Sequence, residues 1–275
     1  MTNTSSPPKK RAANIRTDML RTFEGHPFQV LDDEDMNSLT ESIKAQGIIS
    51  PLIVRPIENT DEYEVVSGHR RLHAAVKAGL TEAPVLIYPL DRNEAMIAVV
   101  DSNLHRERIL PSEKAFAYKM KMEAMKAQGK RTDLTLSQVA TKSDTAAEIG
   151  KEQGESRNKV FRYIRLTHLI PELLQKVDEG GIALSPAVEL SYLSEEQQKI
   201  LLDAMRLNDC TPSHAQSIRM KKAAQQGTLS LESIYEIMSE EKANQTERIS
   251  FKVQDLKAFF PKNYTQKQMT DTILK

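Results

Sequence analysis

The chain has 275 residues, 39% of them apolar, and its 38 basic and 38 acidic side chains leave no formal net charge. That length allows about two domains, and the single cysteine, Cys210, excludes an internal disulfide framework or a cysteine-rich zinc site. No apolar run nears the ~20 residues that span a bilayer and no signal peptide is recognisable, so a cytoplasmic protein is expected; a nucleic-acid partner must be announced by local charge.

Residues 1–20, with Pro7, Pro8, Lys9, Lys10 and Arg11, read as a flexible basic tail, and order is expected to begin near Phe23. Met36, Leu39 and Ile43 predict a helix over 33–45, stopped by Gly47. Pro51–Val54 and Tyr63–Val66 read as strands, 70–78 as a helix ending at Gly79, and 84–88 as a third strand; Asn93 is placed as the cap of a helix running to about Val100. This alternation predicts an α/β unit over 21–110.

Strand signals stop after Pro111. Helices are predicted over 112–128, with Phe116, Met120, Met122 and Met125 on one side, over 135–140, 145–153 and 156–169, and onward to about Met220. They make an all-helical domain over 111–222, for an α+β protein overall. A linker is placed at 223–227, followed by a C-terminal region, 228–275, with a helix at 231–241, a strand at 249–253 and a closing helix at 266–274. That last helix leaves Met269, Ile273 and Leu274 without local cover, so either it packs on a partner, as in a dimer, or the natural protein continues.

Two stretches carry chemistry. Ser67-Gly68-His69-Arg70-Arg71 puts two arginines where a strand gives way to a helix. A helix N-terminus is partly positive and has unpaired N–H groups, so cations suit that spot only if an anion such as a phosphate lies between them and the backbone. The second stretch, 145–165, fits a helix-turn-helix: Thr145 and Glu148 as a capping box, Gly150 at the close crossing, Gly154 in the turn, Ser156 capping the second helix. Its outer face offers Arg157, Asn158, Lys159, Arg162 and Arg165 for base edges and phosphates.

With these motifs in order, the chain resembles the ParB family of DNA-partition proteins over residues 20–215. Pro27-Phe28-Gln29 with 42–54 is similar to the family's first box, Gly68-His69-Arg70-Arg71-Leu72-His73-Ala74 to its arginine box, and Asn103-Leu104-His105-Arg106-Glu107 with Pro111-Ser112-Glu113-Lys114-Ala115 to its third. The plasmid and conjugative-element branch looks nearer than the chromosomal one. The resemblance implies a ParB-like nucleotide-binding domain holding CTP with Mg²⁺, and a helix-turn-helix that recognises a palindromic double-stranded site. It further implies a homodimer that closes on DNA as a sliding clamp, and a ParA-type ATPase as partner, with the basic tail as a contact.

Carried over by position, Gly68, His69, Arg70 and Arg71 would cradle the triphosphate, Asn103 and Arg106 would complete the phosphate and metal environment, with Asn103 on Mg²⁺, and Gln29 would lie near the nucleotide. Two positions depart: the arginine-box glutamate is His69, and the glutamate before the third-box asparagine is Ser102. Nucleotide binding therefore transfers further than CTP hydrolysis, for which Asp101 and Asn103 are the candidates. A helix-turn-helix regulator with a degenerate nucleotide domain is the alternative. A sulfiredoxin-like or kinase-like enzyme ranks last, because Cys210 lies far from the arginine turn and such an enzyme leaves the helical half without a purpose. His69 and His73 stand at i, i+4, but no third metal ligand presents itself.

Overall fold

Three short β-branched and aliphatic runs supply the centre of the sheet, and two less obvious ones close its edges. Strands β1 (Arg11–Arg16), β2 (Leu20–Thr22), β3 (Leu52–Pro56), β4 (Tyr63–Ser67) and β5 (Glu82–Ile87) form one mixed sheet in the order β1-β5-β3-β4-β2. The edge pairs are β1 antiparallel to β5, from Arg11↔Ile87 to Arg16↔Glu82, and β2 parallel to β4. At the centre β3 runs antiparallel to β4, with a register shift between Ile53 and Val54, and parallel to β5. Residues 11–20, read from composition as part of a tail, are thus strand for much of their length. The edge of β5 recruits Arg11–Arg16 and that of β4 recruits Leu20–Thr22, long-range pairings that local composition does not record.

The computed structural model describes residues 10–106, 108–133, 144–240, 259–261 and 264–273. The expected helix at 135–140 and strand at 249–253 lie outside these residues. The chain divides into two compact units, Met1–Met238 and Ser239–Lys275.

Helices α1 (Glu34–Gln46) and α2 (His69–Lys77) pack with the sheet around Met36, Leu52, Val54, Val65, Ala74 and Ala75, all essentially without solvent contact. Asp33 starts α1 by accepting the Met36 N–H at 2.8 Å, and Gly47 ends it at φ +71°. Helix α3 (Arg92–Asn103) is capped by Asp91, not Asn93: Asp91 accepts the Glu94 N–H and Glu94 accepts the Asp91 N–H, each at 2.9 Å. The 23-residue α4 (Pro111–Asp133) then runs beside α3. Its Tyr118 and Met122 are buried, whereas Phe116, expected on the same side as Met120, Met122 and Met125, is exposed.

Helices α5 (Thr145–Glu152) and α6 (Arg157–Arg165) share a core with α3 and α4 built on Val100, Tyr118, Ile149 and Val160. Beyond them α7 (Pro171–Asp178), α8 (Leu184–Leu190), α9 (Glu195–Leu207), α10 (His214–Gln225) and α11 (Leu231–Ser239) enclose a second apolar cluster including Leu173, Leu190, Leu201 and Ile234. The linker expected at 223–227 is mostly the end of α10, with Ala223 and Ala224 packed on that cluster; Gln226 and Gly227, the latter at φ +70°, make a turn. In the second unit the described helix is α12 (Gln266–Ile273), where Met269 is buried and Ile273 exposed. No described helix is long and apolar enough to cross a membrane.

Candidate functional site: an arginine turn and a helix-turn-helix

Between β4 and α2 the chain reverses through Gly68, which sits at φ +105° as the N-cap of α2. A Cβ on Gly68 would lie 2.6 Å from Leu52 Cδ2 and 3.0 Å from Arg71 Nη2, so both backbone conformation and space require glycine. No side chain caps α2 and no acid lies in its first turn. Its opening N–H groups therefore keep their partial positive charge beside two arginines.

The four residues of this turn have different surroundings. Arg71 points its Nη1 at the carbonyls of Ser50 and Pro51, the latter at 3.0 Å, and so ties the start of β3 to the turn. His69 is buried: its Nε2 accepts the Phe23 N–H at 3.4 Å, it hydrogen-bonds the Val65 backbone, and its ring lies 3.8 Å from that of His26. Burial first, then the neighbouring His26 ring and Arg106, push its pKa down to about 3, so it is a neutral group in the wall of the turn. Arg70 keeps capacity. Asp33 Oδ1 stands 3.7 Å from its Nη2, and its Nε is buried with no partner.

The other two boxes converge here. Arg106 lies over the Phe28 ring at 5.5 Å; burial lowers its pKa, Glu113 opposes that, and the like charge of Arg70 adds to it. His26 Nδ1 bonds the Phe28 carbonyl at 2.7 Å, and burial holds its pKa below the ordinary histidine value. The Gln29 side chain is exposed, while its N–H donates to Glu113 Oε1 at 2.8 Å. A cavity of about 550 Å³ adjoins the turn, lined among others by Phe23, His26, Phe28, His69 and His73. His73 is exposed and paired with Asp32 at 3.0 Å, apart from the His69–His26 stack, so the i, i+4 pair does not act as one site.

Asn103 and Asp101 are both held by neighbouring groups. Asn103 is 5% exposed, and its amide nitrogen donates to the Val99 carbonyl at 2.8 Å. Asp101 faces Lys121 Nζ at 2.5 Å, and the buried Lys121 also bonds Glu152, so this carboxylate joins α3 to α4 and α5 and does not replace the glutamate missing at Ser102. Among the described residues no group of three His, Cys, Asp or Glu is placed to hold a metal. The described residues around the turn fit a polyphosphate, and none of their carboxylates is left free for a resident Mg²⁺.

In the helix-turn-helix, Gly154 turns at φ +65°, and a Cβ on Gly150 would meet the Glu155 carbonyl at 2.6 Å. Ser156 caps α6 by accepting the Lys159 N–H at 3.2 Å. The capping box expected at Thr145 is absent: Asp144 is the N-cap and its carboxylate goes to Arg157. Arg157 also lies over the exposed Phe161 ring at 4.8 Å, Lys159 pairs with Glu155 at 3.0 Å, and Arg162 bonds Ser185 Oγ at 2.6 Å. Arg157, Asn158, Lys159 and Arg162 are exposed on one stretch of α6. Arg165 turns inward, to Ser191 Oγ and its carbonyl and against Tyr192, which makes it a brace for α8. Sequence reasoning missed His26, Glu113 and Lys121, whose significance lies in contacts across 20 or more residues.

Residues 1–104 match the family model described as the ParB N-terminal domain. The chromosome-partitioning protein Spo0J of Thermus thermophilus is 30% identical over 233 residues, covering 82% of this chain and 79% of that protein. The probable chromosome 1-partitioning protein ParB of Deinococcus radiodurans is 30% identical over 196 residues, 71% of this chain and 61% of its own length. Among solved structures, C-terminally truncated ParB from Caulobacter crescentus complexed with CTP-gamma-S matches at 25% identity and a TM-score of 0.33, over 67% of this chain and 94% of that one.

Proposed function

This chain belongs to the ParB family of partitioning proteins, and we propose that it is a DNA-binding partition protein whose arginine turn takes CTP and whose helix-turn-helix grips a palindromic site. One observation carries the nucleotide half of this reading. Arg70 and Arg106, brought together from the second and third boxes, stand at an uncapped helix N-terminus, and Arg70 Nε is buried without a partner. Two like charges held so close are stabilised by an anion between them, and guanidinium groups match phosphate oxygens geometrically. Gly68 lets the backbone approach, Gln29 lies at the rim, and His26 and His69 hold the floor.

The exposed Ser156, Arg157, Asn158, Lys159 and Arg162 face of α6 serves the DNA. The stacking of Arg157 on Phe161 pre-orders a side chain suited to guanine, and asparagine suits adenine. Lys121, bonded to both Asp101 on α3 and Glu152 on α5, gives the nucleotide site a physical route to the helix-turn-helix. Clamp closure as a homodimer, a ParA-type ATPase as partner and a place on the nucleoid or a plasmid complete the reading.

The test is accumulation on end-blocked DNA carrying the chain's own site, followed by interferometry. CTP is expected to raise the bound mass and its resistance to salt; equal binding with and without CTP would reject nucleotide control and leave a plain regulator.

A further inference from the structure

We infer that this site takes its nucleoside triphosphate as the free anion, without an obligate divalent metal. The inference rests on the nucleotide reading above and concerns what balances the charge. Mg²⁺ asks for oxygen ligands, commonly one or two carboxylates besides the phosphates and water. Among the described residues, the carboxylates that flank this site in space or in sequence are already engaged. Asp33 Oδ1 caps α1 through the Met36 N–H at 2.8 Å and faces Arg70. Glu113 spends one oxygen on the Gln29 N–H and the other on the Leu110 N–H, at 2.8 and 3.1 Å. Asp101 is turned to Lys121.

The neutral groups are engaged in the same way. Ser102 Oγ donates to the Val99 carbonyl at 3.0 Å, and the Asn103 amide nitrogen donates to that carbonyl and to Ser102 Oγ, leaving a single amide oxygen in a buried residue. His69 brings no charge to the turn. Against this, Arg70, Arg106 and the N-terminus of α2 supply positive potential aimed at one place. The role that a metal fills at many triphosphate sites, neutralising the oxygens, is taken by guanidinium groups.

Calorimetric titration of the full chain with CTP, in Mg²⁺ buffer and in EDTA, tests this. Dissociation constants within roughly threefold of each other are expected, and a loss beyond about tenfold in EDTA would overturn the inference. Ser102→Glu, at an exposed position beside Asn103, adds the missing carboxylate; it should weaken binding in EDTA by about tenfold relative to Mg²⁺. A variant whose two constants stay equal would remove the carboxylate as the cause and defeat the argument. Silence in both buffers rejects the nucleotide reading itself, and the inference with it, an outcome distinct from metal-dependent binding.

Discussion

Replacing Gly68 by alanine asks whether the arginine turn is built as tightly as its geometry indicates. The residue sits at φ +105°, where an L side chain costs about 1–2 kcal/mol. The new Cβ would lie 2.6 Å from Leu52 Cδ2, and Leu52 is fully buried, so it cannot swing into solvent. Overpacking of that kind costs about 1–3 kcal/mol more. Gly68→Ala is therefore expected to lose roughly 2–5 kcal/mol, a large share of the roughly 5–15 kcal/mol of a typical domain. Gly79→Ala is the control: its φ is +79°, yet nothing lies within 4 Å of its added Cβ, so only the backbone cost of about 1 kcal/mol applies. Urea denaturation of both variants measures the difference. If Gly68→Ala loses no more than Gly79→Ala, the close approach of Leu52 and Arg71 to the turn is not real.

Arg70→Ala should weaken CTP binding at least about tenfold while leaving the circular dichroism spectrum and the initial DNA contact unchanged, measured by calorimetry and anisotropy. Arg157→Ala should do the reverse, costing about 1–3 kcal/mol in binding to its own site with CTP affinity intact; equal losses of both activities in either variant would contradict the division of labour. His69 and His26 are neutral in the fold, and an unfolded histidine protonates near 6.5, so below that pH the unfolded state binds more protons. Stability should therefore be complete above about pH 6.5 and fall with acidification, for His69 down to about pH 3, by up to about 1.4 kcal/mol per pH unit while the folded group stays neutral and the unfolded one is protonated. His69→Gln should flatten that slope in denaturation measured at several pH values; an unchanged slope would refute the buried neutral imidazole. Lys121→Met should cost less than about 2 kcal/mol, because its partners Asp101 and Glu152 are half exposed and can rehydrate. It should nonetheless reduce the effect of CTP on DNA loading in the interferometry assay; undiminished CTP stimulation would exclude Lys121 as the route between the two sites.

Elements driven by local periodicity were legible in the sequence. The three central strands, α1, α2 and both helices of the helix-turn-helix emerge from spacing and from Gly47, Gly79 and Gly154. What stayed hidden depends on distant partners. Arg11–Arg16 looks like a tail because its strand character comes from pairing with β5. Asp144 stands at the N-cap of α5, yet its carboxylate goes to Arg157, thirteen residues later, and makes no capping hydrogen bond. The cap at Asp91 was readable from its Asp-x-x-Glu spacing with Glu94, and Asn93 concealed it. The arginine turn itself was visible, but its internal division was not: spacing alone cannot tell that Arg71 holds β3, that His69 is a buried prop, and that Arg70 keeps a buried donor without a partner. Arg165 was misjudged for the same reason, since the Ser191 and Tyr192 that capture it come from the far end of α8.

The most direct measurement is a crystal structure of the full chain grown with excess CTP. A triphosphate is expected between the first turn of α2 and the Arg106 guanidinium, with Arg70 Nε newly hydrogen-bonded to a phosphate oxygen. Nucleotide bound elsewhere, or a turn left empty at saturating CTP, would contradict it.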